Sequence, residues 1–209
     1  MTELLVLVHG WSYDARFWDP LRALLPDIET LAWDLGYYGA PSALPPDRPA
    51  VAVGHSYGLL RLLHHRPFEW RGLVSINGFS RYAEAPDLPA GVPPAQIDRL
   101  AAGVAEAAWP ALSGFRQRCG DPTPPPEAPD TRRLQDSLDH LRHWDERPAQ
   151  PGLALCGETD RVVPPALSRA LFEPSVTRWH PGGHLLPRQD PEWCAGELRA
   201  WLREHDERA

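Results

Sequence analysis

The chain has no lysine: all 21 of its basic side chains are arginine, a bias that composition explains without any mechanism. Cysteine is scarce too, and the three present, Cys119, Cys156 and Cys194, are odd in number and far apart. That spacing excludes a disulfide framework and a thiolate metal site, and it fits a reducing compartment. A surplus of positive charge is also missing, since the formal net charge is −7. An acidic total argues against nucleic-acid binding as the main activity. Long apolar runs are absent. The run that opens the chain, Leu4 to Val8, has five residues before His9-Gly10. It has the length of a strand, far short of the ~20 residues that cross a bilayer, and no basic leader or cleavage site accompanies it. No repeat or low-complexity tract is visible. These absences predict a cytoplasmic protein with no membrane or nucleic-acid partner. With 209 residues and 43% apolar content, the chain suits one domain with a sizeable core.

What is present alternates. Leu4–Val8 is a continuous apolar run, as expected of a strand buried on both faces. Asp14 to Leu25 has a helical stripe of Phe17, Leu21, Leu24 and Leu25, ended by Pro26. Strands follow at Thr30–Trp33, Val51–Val53 and Leu73–Ile76, with a helix over Tyr57–His65 stopped by Pro67. The pattern resumes with a strand at Leu153–Cys156, a helix at Pro165–Phe172, a short strand at Val176–His180, a loop, and a last helix from Pro191. Alternation of this kind predicts an α/β fold with a mostly parallel sheet of about six strands and right-handed crossovers. Ligands in such sheets bind beyond the carboxyl ends of the strands. Residues 79–150 interrupt the rhythm with ten prolines between Pro86 and Pro129 and two helical patterns, about Ala95 to Cys119 and Thr131 to Trp144. Placed directly after a strand end, they predict a helical cap over the active face. Residues 1–78 and 151–209 then form the core, with 79–150 inserted after the fourth strand.

Chemistry concentrates at Val51–Leu60, where Ser56 sits in a Gly-x-Ser-x-Gly frame between strand and helix. A strained turn there lifts a serine hydroxyl off the end of the sheet. Side chains in place of Gly54 and Gly58 would crowd the crossing. A chance match to the frame in a chain this long is roughly one in twenty at average usage, so the flanking residues decide. A hydroxyl needs a base, and the base needs a third group to fix its tautomer. The order Ser, acid, His is met by Ser56, Asp160 and His184, each just past a strand. Asp160 also has the setting of a turn acid. His184 competes with His180 and His55, and the glycine pair before it suggests a loop bending back to the site. Backbone N–H groups of Trp11 and Tyr57 are the expected oxyanion donors.

His9-Gly10-Trp11, Asp34-Leu35-x-x-x-Gly39-x-x-Ser42, Gly54-His55-Ser56-Tyr57-Gly58, Gly157-x-x-Asp160-x-x-Val163-Pro164 and Gly183-His184 resemble the α/β-hydrolase superfamily along almost the whole chain. Within it, four local stretches resemble the pimeloyl-[acyl-carrier protein] methyl ester esterases of biotin synthesis. These are His9–Ser12, Phe79–Gly91, Leu112-x-x-Phe115-x-Gln117-x-Cys119, and Leu141-x-x-x-Asp145-x-Arg147. The resemblance implies a cofactor-free, metal-free serine carboxylesterase. Trp11, Tyr57, Phe115, Gln117, Cys119 and His184 would contact an acyl substrate borne on an acidic acyl-carrier protein. It leaves open a general short-chain esterase or thioesterase, and a lyase of the menaquinone-pathway type. Three features depart from the pattern. The antiparallel N-terminal hairpin is lacking, and the link from Ser42 to Ala50 is too short for a helix. The cap carries eight Arg against eleven Asp and Glu. An acidic carrier then needs a local cluster, for which Arg116, Arg118, Arg132 and Arg133 are available, although solvated helix faces are their default role.

Overall fold

The computed structural model describes residues 3–43 and 48–206. One sheet holds β1 (Leu4–Val8), β2 (Glu29–Trp33), β3 (Ala50–His55), β4 (Trp70–Ile76), β5 (Leu153–Gly157) and β6 (Thr177–His180). The spatial order is β2-β1-β3-β4-β5-β6, and every neighbouring pair is parallel. β1, β3 and β5 are buried along their whole length, which is why they read as unbroken apolar runs. β2 lies at an edge and is only half-buried beyond Glu29. The chain runs outward from β1 to β2, then returns to β3 on the other side of β1. That reversal is the switch point where open α/β sheets form a crevice. The carboxyl ends of β1 and β3, hence His9–Ser12 and Ser56, flank it.

The helices are α1 (Asp19–Ala23), α2 (Tyr57–His65), α3 (Pro94–Cys119), α4 (Thr131–His143), α5 (Pro165–Leu171), α6 (Leu186–Gln189) and α7 (Pro191–Asp206). The single helix expected over 14–25 is instead a 3₁₀ turn, Ala15–Trp18, followed by α1. Pro20 has no N–H to give the Arg16 carbonyl, and the Asp19 N–H takes that bond in 3₁₀ fashion. The loop expected before the last helix contains the extra turn α6. Residues 44–47 of the linker from Ser42 to Ala50 lie outside the described residues, as do 1–2 and 207–209.

Between β4 and β5, α3 packs on α4. α3 bends at Ala107 (φ −153°, ψ 88°). The bend lies just before Pro110, whose ring clashes with the carbonyl four residues back. Leu134, Leu138 and Leu141 form the buried stripe of α4. Among the described residues, no helix is long and apolar enough to cross a membrane.

The elbow depends on close approach. A Cβ on Gly58 would lie 2.3 Å from the Val8 carbonyl oxygen, and one on Gly54 would lie 2.4 Å from Leu59 Cα. Both neighbours are backbone and cannot rotate away. Gly58→Ala is therefore expected to destabilise the fold by at least about 1–3 kcal/mol, the usual range for overpacking. A thermal melt checks this, and an unchanged midpoint would show that β1 and α2 separate freely.

Candidate active site

β3 ends and α2 begins with no intervening loop. The Ser56 N–H donates to Ile76 O of β4 (3.1 Å), while Ser56 O accepts from the Leu59 N–H (3.1 Å). One residue thus closes the strand and opens the helix. The crossing forces Ser56 to φ 53°, ψ −127°. Serine at a helix start ordinarily turns its hydroxyl back to cap the first N–H groups. Here it makes no capping hydrogen bond, so Oγ is left for other chemistry. Such strain persists where the surroundings over-determine it.

Asp160 follows β5. Its Oδ1 accepts from the Val162 and Val163 N–H groups (2.7 and 2.9 Å), and its Oδ2 accepts from His184 Nδ1 (2.8 Å). The turn acid and the histidine partner are therefore the same residue, one oxygen for each role. Both side chains of the pair are 1% exposed. Because a carboxylate only accepts, His184 carries its proton on Nδ1 and presents a lone pair at Nε2. His180 is occupied elsewhere, against Asp190 and the Gly182 N–H.

The His184 loop is held by Asn77 and by His55, which the sequence offers only as a rival base. Asn77, at φ 47°, donates from Nδ2 to the carbonyls of Gly183 and His184 (2.9 Å each) and accepts at Oδ1 from the Gly157 N–H (2.7 Å). One amide thus ties the end of β4 to β5 and to the histidine loop. His55 donates from Nε2 to the same His184 carbonyl (2.9 Å). Burial, reinforced by the neighbouring His184, holds His55 well below the ordinary imidazole value, so it is a neutral strut. The signals in sequence are faint. Asn77 is a polar residue at a strand end, and its partners lie 80 to 107 residues away.

The Trp11 N–H shares a peptide with the Gly10 carbonyl, which accepts from His9 Nδ1 (2.8 Å). His9 Nε2 accepts from the Leu35 N–H (3.0 Å), which fixes the ring's tautomer. Asp34 braces the same loop by accepting from the Ala15 and Gly36 N–H groups. Burial works to raise the Asp34 carboxyl, but His9 and these two N–H groups hold it down at about 2. Tyr57 is the first residue of α2, so its N–H is one of the donors a helix leaves free. Trp11 lines the same space as Ser56, and Tyr57 follows Ser56 directly in the chain.

The cap closes over Ser56. The space there is lined by Trp11, Phe79, Ile97, Phe115, Leu138 and Leu141, and it holds only about 30 Å³. That admits about one water. Of the side chains expected to contact an acyl chain, Trp11 and Phe115 line this space, edge to face at 4.7 Å. Four others do not. The Tyr57 phenol points out to His140 Nδ1 (2.7 Å) on α4. Gln117, two residues past Phe115, falls on the opposite side of α3 and is exposed. Cys119 is on the Phe115 side but one turn further along, buried beside Tyr13, and burial pushes its thiol up. His184 lies beneath the elbow, its ring 4.8 Å from that of His55. Arg116 also departs from expectation: it is 5% exposed and so belongs to no surface cluster. Arg118, Arg132 and Arg133 are exposed, and Arg133 pairs with Asp130.

Comparison with known proteins places the chain among serine hydrolases and esterases. A family model described as "Serine hydrolase (FSH1)" matches residues 111–194, which include Asp160 and His184. Esterase OVCA2 from Xenopus tropicalis is 41% identical over 59 residues, and the match spans only 26% of that protein's length. A pimeloyl-[acyl-carrier protein] methyl ester esterase from Stenotrophomonas maltophilia is 30% identical over 206 residues, covering 79% of this chain and 78% of that protein. The solved structure of an esterase from Exiguobacterium antarcticum superposes with a TM-score of 0.79 at 18% identity, covering 96% of this chain and 92% of that one. The chain therefore belongs to the α/β-hydrolase superfamily of serine hydrolases, as a carboxylic ester hydrolase resembling the pimeloyl-[acyl-carrier protein] methyl ester esterases.

Proposed function

We propose that this hydrolase uses Ser56, His184 and Asp160 to cleave a methyl ester from an acyl chain carried on acyl-carrier protein, in the cytoplasm. Ser56 Oγ attacks the ester carbonyl as His184 Nε2 takes its proton, and the Trp11 and Tyr57 N–H groups hold the oxyanion. Collapse expels methanol, protonated by His184, and leaves an acyl-enzyme. Water then attacks by the same route, releasing the acid and restoring Ser56. Asp160 keeps the His184 proton on Nδ1 and stabilises the imidazolium.

The observation that carries the substrate reading is continuity. The apolar space over Ser56 shares Gln96, Leu100, Phe115 and Arg118 with an open bowl at the bend of α3, flanked also by Arg99. A chain with its ester at Ser56 would run past Phe115 and emerge between two guanidinium groups. That exit suits an anionic carrier arm. The space over Ser56 is small, and widening it to seat an acyl chain requires the cap helices to part. The test offers three substrates to the purified protein: the pimeloyl carrier-protein methyl ester, free monomethyl pimelate and p-nitrophenyl butyrate. The carrier-bound ester is expected to have the highest kcat/KM, and the gene to complement a biotin-requiring strain lacking its esterase. Turnover of p-nitrophenyl butyrate with none of the carrier-bound ester would instead mark a general short-chain esterase.

A further inference from the structure

Arg116 is a buried cation in the middle of the cap. Its side chain is 6% exposed, and its partners lie outside α3. Nε and Nη2 both donate to the carbonyl oxygen of Ser12 (3.2 and 2.7 Å). The guanidinium lies over the Tyr13 ring (4.6 Å) and near that of Tyr38 (5.9 Å), whose hydroxyl donates to the same carbonyl (3.3 Å). On its other side stands Asp121 (3.8 Å), 4% exposed, which also accepts from Arg188 (2.8 Å) on α6, four residues past His184. One buried network therefore joins the loop after β1, the end of α3 and the segment after His184.

Ser12 is where this matters. It follows Trp11, it is fully buried, and it sits at φ 67°, a left-handed conformation that L-residues avoid. The peptide before Trp11 is pinned by His9, from the body of the sheet. The peptide after Ser12 is pinned by Arg116, from the cap. The Trp11 ring is tied to the cap as well, through Nε1–H to Leu134 O (3.0 Å). Charge-assisted donors to one carbonyl are about twice as strong as neutral ones. They oppose relaxation of Ser12 to negative φ, which would swing the Trp11 N–H away from the elbow.

We infer that Arg116 is a positioning residue for the oxyanion hole: the cap, through Arg116 and the Ser12 carbonyl, sets the Trp11 N–H that receives developing negative charge. The inference rests on the esterase reading with Ser56 as nucleophile. The cap then tunes the rate of the chemical step as well as selecting substrates. Its contribution belongs to the transition state, because only the tetrahedral oxygen needs that amide in place.

The test compares wild type, Arg116→Met and Arg116→Lys, with p-nitrophenyl butyrate as substrate and a phenylboronic acid as tetrahedral probe. Met keeps the apolar stem volume and removes every donor. In Arg116→Met, kcat is expected to fall about 10–100-fold with KM within about threefold, as for loss of an interaction made only in the transition state. Boronate affinity should fall in parallel, a change that mere loosening of the acyl pocket would not produce. Lys keeps a charge facing Asp121 but offers one point donor in place of a fork, so its kcat should lie between the two. A folded Arg116→Met with wild-type kcat, or one whose KM rises while kcat holds, overturns the inference. Should Arg116→Met lose its cooperative melt, Arg116→Lys decides: a fall in kcat at constant KM supports the inference, and unchanged kcat overturns it. A wild-type enzyme inert to the ester would instead defeat the esterase reading itself.

Discussion

Ser56→Ala is expected to lower kcat/KM for p-nitrophenyl butyrate by at least about 10³-fold while leaving the melting temperature unchanged. The two halves of that expectation have separate causes. Oγ caps no helix, so its removal leaves no polar partner stranded and α2 loses no hydrogen bond. The strained φ of 53° is imposed by the strand-to-helix crossing and by Gly54 and Gly58, which the substitution does not touch. Activity falls because the Ser56 hydroxyl is the attacking group of the proposed reaction. What remains comes from the oxyanion donors and binding, which by themselves still accelerate the reaction over water. Labelling by a fluorophosphonate should vanish in the same variant. Persistent labelling and turnover would place the nucleophile elsewhere.

Asp160→Asn should be comparably damaging, with a fall of about 10⁴-fold in kcat and little change in stability. The geometry leaves the new amide a single choice. Oδ1 of residue 160 is claimed by the Val162 and Val163 N–H groups, which only an oxygen can satisfy. The amide nitrogen must therefore face His184 Nδ1. Two donors cannot share that contact, so His184 moves its proton to Nε2 and loses the lone pair that accepts the Ser56 proton. The fold survives because Asn keeps the turn and the shape. Steady-state kinetics and a thermal melt on one preparation check both parts. Near-wild-type kcat in Asp160→Asn would mean that a different group orients His184.

Much of the fold was legible because local rules are strong here. Unbroken apolar runs such as Leu4–Val8 and Leu153–Cys156 have few alternatives to a buried parallel strand, and glycines at the elbow permit close crossing. The helix expected over 14–25 failed because Pro20 has no N–H to give the Arg16 carbonyl, so the chain tightens into a 3₁₀ turn before α1. α6 was hidden because four residues carry no readable period. At the site, Asp160 was ambiguous in sequence between turn acid and histidine partner, and it fills both positions because a carboxylate has two oxygens. Asn77 and His55 carried only faint signals, a polar residue at a strand end and a rival base, since their partners are carbonyls of residues 183 and 184. In the cap, helical periodicity identified α3 and α4 but not what their faces meet. Gln117 shares a stretch with Phe115 yet faces solvent, Cys119 is buried one turn beyond the pocket, and Arg116 carries a surface-type charge into the interior.

By itself, then, the sequence determined the alternation of strands and helices, the position of Ser56 at the sharp turn, and the order of Ser56, Asp160 and His184 at successive strand ends. Each follows from steric and periodic rules that act within a few residues. Only the tertiary structure decided which oxygen of Asp160 meets His184, that Asn77 and His55 hold the histidine loop, that the cap leaves about 30 Å³ above Ser56, and that Arg116 grips the loop bearing Trp11. These depend on hydrogen bonds and packing between segments far apart in the chain. Local patterning carries no record of such partners, because the same side chain serves equally well in solvent until the fold encloses it.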